Sequence, residues 1–116
     1  MTPAKQPDVL RGTLDLLVLK TLDTMGPLHG YGLARRLEQV SGELLVMKQG
    51  TLYPALLRLE QRGWIKAAWG ASDANRRARY YSLTARGRRQ LAQETRAWDR
   101  MAGMIGRVLH GGTERA

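Results

Sequence analysis

The sequence predicts a mainly helical α+β fold, and three observations carry that expectation. Apolar residues recur at helical spacing in four separate stretches, β-favouring residues cluster in "WIKAAW" and "RYYSL", and glycines or prolines punctuate the joins. The predicted order is helix, helix, helix, hairpin, helix.

Residues 1–8, "MTPAKQPD", hold two prolines and no apolar period, so they read as a flexible arm. From Val9 to Met25 apolar residues fall on two sides, with Leu14, Leu17, Val18 and Met25 on one face and Leu16 and Leu19 on another. Such a helix must be covered twice. "GPLHGYG" interrupts it at Gly26 and Pro27, and "HGYGLARRLEQVSG" restarts with Leu33, Leu37 and Val40 in one stripe and Gly42 as the stop. "ELLVMKQG" reads as an extended connector.

The third helix lies in "QGTLYPALLRLEQRGWI", where Pro54 sits among leucines. With Thr51 as N-cap, the proline falls in the first turn, where backbone N–H groups have no intrahelical partner to lose. The Thr51 hydroxyl would then serve the N–H of Tyr53. At 100° per residue Leu52, Leu56 and Leu59 form the buried stripe, while Thr51, Pro54, Arg58 and Gln61 face outward. Leu57 also faces outward, meeting either thymine methyls or another part of the protein. Gly63 ends the helix, Ile65, Ala67 and Trp69 alternate inward on the first hairpin strand, and the hairpin tip is rich in arginine. Thr84 caps the last helix, in which Leu91, Trp98 and Ile105 stand seven apart, interleaved with Met101, Ala102, Val108 and Leu109. That is a seam for another helix. Gly103 and Gly106 weaken the helix by about 1 kcal/mol each relative to alanine, so its end needs outside support.

Charge narrows the function. Nineteen Lys and Arg against ten Asp and Glu give a net charge of +9, and between Arg76 and Arg89 lie six arginines and no acid. Such a field favours polyanions. With no cysteine and only His29 and His110 as imidazoles, disulfides, thiolate chemistry and nitrogen or sulfur metal sites lack their ligands. Neither a membrane span nor a signal peptide is expected, and the protein reads as cytoplasmic. "HGYGLARR" lacks the strand and third glycine of a nucleotide fingerprint, and His29 with Asp23 or Asp73 has no nucleophile elbow. Neither an enzyme nor a cofactor is expected.

The element order is that of a winged helix-turn-helix over residues 9–83, followed by a dimerisation helix over 84–109 and a frayed tail over 110–116. In this arrangement the third helix enters a major groove of double-stranded DNA with Thr51, Arg58 and Gln61 toward base edges. Arg76, Arg77 and Arg79 on the hairpin take phosphates or a minor groove. Tyr53 either reaches a phosphate from the flank or is plainly buried. Arg35 and Arg36 are backbone contacts or simply the wet face of the second helix. Leu16 and Leu19 of the first helix, together with Leu91, Trp98, Met101, Ala102, Ile105 and Leu109 of the last, form a two-fold homodimer interface. Two functions follow, a sequence-specific regulator or a nonspecific architectural or adaptor module on the same fold.

"LRGTLDLLVLKTL", "GPLHGYGLARRL", "QGTLYPALLRLEQRGWI", "RRARYYSLTARGRRQL" and the tryptophan of "TRAWDRM" together resemble the short subfamily of PadR-type bacterial transcriptional regulators. The resemblance implies a homodimeric repressor on an inverted repeat, released by a small molecule or another signal. By motif it assigns His29 and Tyr31 of "HGY", and Gln49, Thr51, Tyr53 and Pro54 of "QGTLYP", to the DNA-binding region. Members often carry a polar residue where this chain has Leu57. In some relatives a tryptophan at the position of Trp98 stacks on flat aromatic drugs between subunits, which makes a small aromatic effector one reading and plain interface packing the other.

Overall fold

The computed structural model describes residues 8–42, 48–72 and 75–111. In chain order the elements are α1 (Asp8–Met25), β1 (Leu28–His29), α2 (Gly30–Val40), α3 (Gln49–Gln61), β2 (Ile65–Ala71), β3 (Arg77–Leu83) and α4 (Ala85–Leu109). The strands form one antiparallel sheet in the order β1-β3-β2, with Ile65 opposite Leu83 at its base, Ala71 opposite Arg77 at its tip and Leu28 opposite Tyr81. The two-residue β1 is absent from the sequence reading because alternation needs a longer run to register. Most of the expected arm, part of the connector, residues 73 and 74 of the hairpin tip and most of the tail lie outside the described residues.

One leucine-rich core joins the elements. Leu14, Val18, Leu19 and Leu22 of α1 meet Leu33 and Leu37 of α2, Leu52, Ala55, Leu56 and Leu59 of α3, and Ile65, Tyr81 and Leu83 of the sheet. Leu91 is the last residue of α4 to join them. Three inward assignments are corrected here. Met25 and Val40 stand in the final turns of their helices, beyond the edge of the core, and are exposed. Trp69 is 60% exposed, since the hairpin has already left the body by that point. Leu19 and Leu91 also change role. Leu19 is 0% exposed within the single chain and Leu91 is buried beside it in the core, so neither has surface to offer a second subunit.

The helix ends are set locally. His29 Nδ1 accepts the Gly32 N–H at 3.0 Å and caps α2, which requires the ring proton to sit on Nε2. Gly42, with φ +65°, stops that helix as expected. At the end of α3 the N–H of Gly63 donates to the Glu60 carbonyl and that of Trp64 to the Leu59 carbonyl, a Schellman closure that needs the φ of +76° found at Gly63. Thr84 caps α4 by accepting the Gly87 N–H at 2.9 Å, and its hydroxyl donates back to the Gly63 carbonyl at 2.7 Å. A Cβ on Gly87 would collide with the Trp64 carbonyl, so α4 starts in direct contact with the α3–β2 corner.

The start of α3 differs from expectation. Lys48, in extended backbone, is the N-cap and makes no side-chain cap bond; its carbonyl accepts from both Thr51 and Leu52 at 3.0 Å. Thr51 is therefore the third helical residue rather than the cap. Pro54 becomes the sixth, three positions too deep to be free of cost, and deprives the Gly50 carbonyl of its usual donor. Gly50 is exposed, so water can serve that oxygen.

An ion pair fastens α3 to α1. Arg58 donates to Asp15 at 2.8 Å, while burial raises the Asp15 pKa above its ordinary value against the opposing pull of Arg58's hydrogen bond and charge. A raised folded-state pKa means that the Asp15 contribution favours folding most at low pH and is lost as pH rises through that pKa. Replacing Arg58 by alanine strands the ionised carboxylate. Arg58→Ala is expected to destabilise the fold by about 1–3 kcal/mol at neutral pH, with the loss shrinking toward about pH 4 as Asp15 takes up a proton. Denaturant melts at the two pH values check this, and an equal loss at both would contradict it.

Candidate nucleic-acid interface

What α3 shows to solvent follows from what it buries. Opposite the stripe of Leu52, Ala55, Leu56 and Leu59, the helical period runs a crest through Gly50, Pro54, Leu57 and Gln61, all of them exposed. Leu57 is 55% exposed on this crest, so it is not packed into the body of its own chain. Thr51 and Arg58 fall on one flank of the helix. Arg58, expected to point outward, is turned onto α1 by Asp15. Tyr53 and Glu60 fall on the other flank, toward the hairpin.

Between that flank, the start of α2 and the hairpin lies a cleft of about 580 Å³ lined by His29, Tyr31, Tyr53, Trp69, Arg77 and Tyr81, among others. Tyr53 is 41% exposed, which rules out the plainly buried reading. Its ring and hydroxyl lie so close over Gly30 that a Cβ there would collide with them. Tyr31 is exposed at the mouth. His29 is committed to the α2 cap through Nδ1, and its ring meets Tyr80 edge-on at 5.3 Å. A second groove, between α2 and the start of α3, adds Arg35 and Lys48 beside Tyr31 and Tyr53. The sequence reading missed Lys48, which lay in an unassigned connector. The side chain of Gln49 lies outside the described ones.

The three hairpin arginines are not equivalent. On the face toward the cleft, Trp69 stands opposite Arg79 and diagonal to Arg77. The Arg77 guanidinium lies 4.6 Å from the Trp69 ring centre, a cation–π stack that holds it extended while it stays exposed. Arg79 instead reaches Glu60 of α3 at 2.9 Å, which offsets its charge and ties the hairpin to that helix. Arg76 is exposed just before the strand, its N–H donating to Ser72 Oγ at 3.3 Å. The remaining arginines of the basic run stand at the start of α4, where Arg88 pairs with Asp23 at 3.5 Å. The run is thus divided between two places rather than forming a single patch.

At the far end, Trp98 is 44% exposed, and Met101, Ala102, Ile105 and Leu109 are also exposed along α4. Half-buried Leu16 lines a groove of about 210 Å³ with Trp98 and Met101, so these three predicted interface residues do come together. Among the described residues no group of three or more His, Cys, Asp or Glu is placed to hold a metal ion, and no helix is long and apolar enough to cross a membrane.

Comparison with known proteins agrees with this geometry. The sequence model of the Transcriptional regulator PadR-like family matches residues 18–93. The chain is 33% identical to a transcriptional regulator from Clostridium thermocellum, with a TM-score of 0.78 over 87% of this chain and 97% of that one. A PadR family transcriptional regulator from Eggerthella lenta is 30% identical, with a TM-score of 0.74 over 88% and 86% of the two chains. An uncharacterised protein from Lysinibacillus sphaericus is 28% identical over 90% of this chain and 94% of its own length. On these grounds the chain belongs to the PadR-like family of transcriptional regulators, a family of DNA-binding proteins rather than enzymes.

Proposed function

We propose that this regulator binds a specific inverted-repeat operator as a homodimer, acting as a repressor released by a small molecule or stress signal. The observation that carries the reading is the exposed α3 crest beside two adjoining grooves that carry cations: Arg35 and Lys48 in the groove against α2, Arg76 and Arg77 in the cleft against the hairpin. Helix α3 then lies in the major groove and the hairpin follows the backbone toward the minor groove. Tyr31, Tyr53 and Arg77 line the path of the intervening phosphate strand, with His29 and Arg79 holding the walls. The competing reading, an architectural or adaptor role on the same fold, has one observation in its favour, the scarcity of hydrogen-bonding side chains on the crest.

The apolar stripe of α4 supports the dimer. Its outer part is covered by nothing among the described residues, and two copies related by a two-fold would cover it mutually. Leu16 extends that surface onto α1. The groove where Leu16, Trp98 and Met101 meet is the place for a flat aromatic effector in such a dimer.

Binding isotherms on a preferred duplex and on random DNA separate the two functions: preference by ~10³ or more at physiological salt supports the operator reading, and equal affinities contradict it. In the same titrations Arg76→Ala with Arg77→Ala is expected to weaken binding to all sequences and flatten the log K against log salt slope by roughly 0.9 for each lost phosphate contact. Light scattering behind a sizing column is expected to find no monomer at micromolar concentration, and Ile105→Glu to produce one; a clean 13.0 kDa species from the natural chain would overturn the dimer. Titration with planar aromatics is expected to quench Trp98 emission saturably, read as the difference from a Trp98→Leu control that retains Trp64 and Trp69. No saturable difference would remove the effector site.

A further inference from the structure

We infer that Leu57 recognises thymine through its C5-methyl group, making apolar contact a principal base-reading device of this helix. The inference rests on the operator reading above and names which chemical feature of the operator is read.

The crest that α3 offers to a groove is chemically spare. Gly50 has no side chain, Pro54 has neither a donor nor a polar atom beyond its carbonyl, Leu57 is a hydrocarbon, and only Gln61 carries hydrogen-bonding groups. The polar side chains expected there have moved off it, Arg58 to the α1 flank under Asp15 and Thr51 to the same flank, half-buried. A glycine and a proline leave the first two turns low, so the backbone can approach the groove floor and Leu57 is the first tall side chain to meet it. In the major groove the one apolar feature that distinguishes a base pair is the thymine methyl. Gln61 stands one turn beyond Leu57, close enough to address a neighbouring base.

An exposed leucine alone signifies little, since much protein surface is apolar. Its position decides the matter. Leu57 sits on the exposed crest one turn along α3 from Tyr53, which lines both of the adjoining grooves that carry Arg35, Lys48, Arg76 and Arg77, and beside those cations a polyanion is the complementary partner and an apolar protein surface is not. The apolar stripe available for self-association lies on α4, a separate element.

The experiment lets the protein choose its own DNA. The duplex that the natural chain enriches from a randomised pool is remade with deoxyuridine at each symmetric pair of thymines in turn, which deletes the methyl and nothing else. Affinities are read by fluorescence anisotropy for the natural chain, Leu57→Ala and Leu57→Met, all expected to fold because the side chain is exposed. At one pair of positions uracil is expected to weaken the natural chain about 15-fold, the product of about 4-fold per buried methyl at two half-sites. Leu57→Ala is expected to bind the thymine and uracil duplexes alike at that pair, while Leu57→Met keeps the discrimination. A natural chain indifferent to uracil everywhere, a selected half-site without thymine, or a Leu57→Ala variant as sensitive as the natural chain each overturns the inference alone. Failure to enrich any sequence overturns the operator reading and the inference with it. Loss of self-association in Leu57→Ala with uracil sensitivity intact would assign Leu57 to a second copy, and also overturns it.

Discussion

The orientation of α3 about its own axis is the constraint on which the exposed crest depends. Four of its residues, Leu52, Ala55, Leu56 and Leu59, are buried under α1, α2 and the sheet, and each fully buried leucine stabilises by about 1.5–3 kcal/mol. Rotating the helix by one residue would lift those leucines toward water and press Tyr53 and Glu60 into the core, where an unpaired carboxylate is costly. The rotational setting is thus locked by burial, with the Arg58–Asp15 pair on one flank and the Glu60–Arg79 pair on the other adding directional ties. What the crest displays is the remainder left by this packing.

The same two ion pairs sort the positive charge. A net charge of +9 suggests a broadly cationic molecule, yet Arg58 and Arg79 spend their charge on internal carboxylates and Arg88 leans toward Asp23. Arg77 is handled differently. Stacking on Trp69 restrains it without offsetting its charge, so it stays available to an anion while losing little further freedom on binding. The hairpin therefore carries one arginine that serves the fold and at least one presented outward.

The helices and hairpin were legible because their signals are local: heptad spacing in α4, Thr84 ahead of it, Gly42 and Gly63 behind α2 and α3. Burial was less so. Met25, Val40 and Trp69 carry the right residue type at the right period but stand past the edge of the core, and periodicity has no means of saying where a core ends. Leu19 and Leu91 erred in the opposite direction, because a two-sided helix announces that it is covered twice without saying by what. For the site, Tyr31, Arg35, Tyr53, Arg76 and Arg77 converge on a pair of adjoining grooves, while the diversion of Arg58 depended on Asp15, 43 residues away in sequence. Lys48 in place of Thr51 at the helix start shows the limit of capping rules. A threonine is a good cap only where the chain is still extended, and here the helix had already begun.

The corner where Thr84 bonds to Gly63, and where Gly87 rests on the Trp64 carbonyl, leaves no slack between α4 and the junction of α3 with β2. A 25-residue helix fixed so firmly at its root acts as a lever some 37 Å long. The far end of α4 is thereby joined to the α3–β2 corner through one continuous helix anchored at the Thr84 hydroxyl. A second copy or an effector settling against the distal half of that lever, as proposed above, would act on α3 through this anchored root.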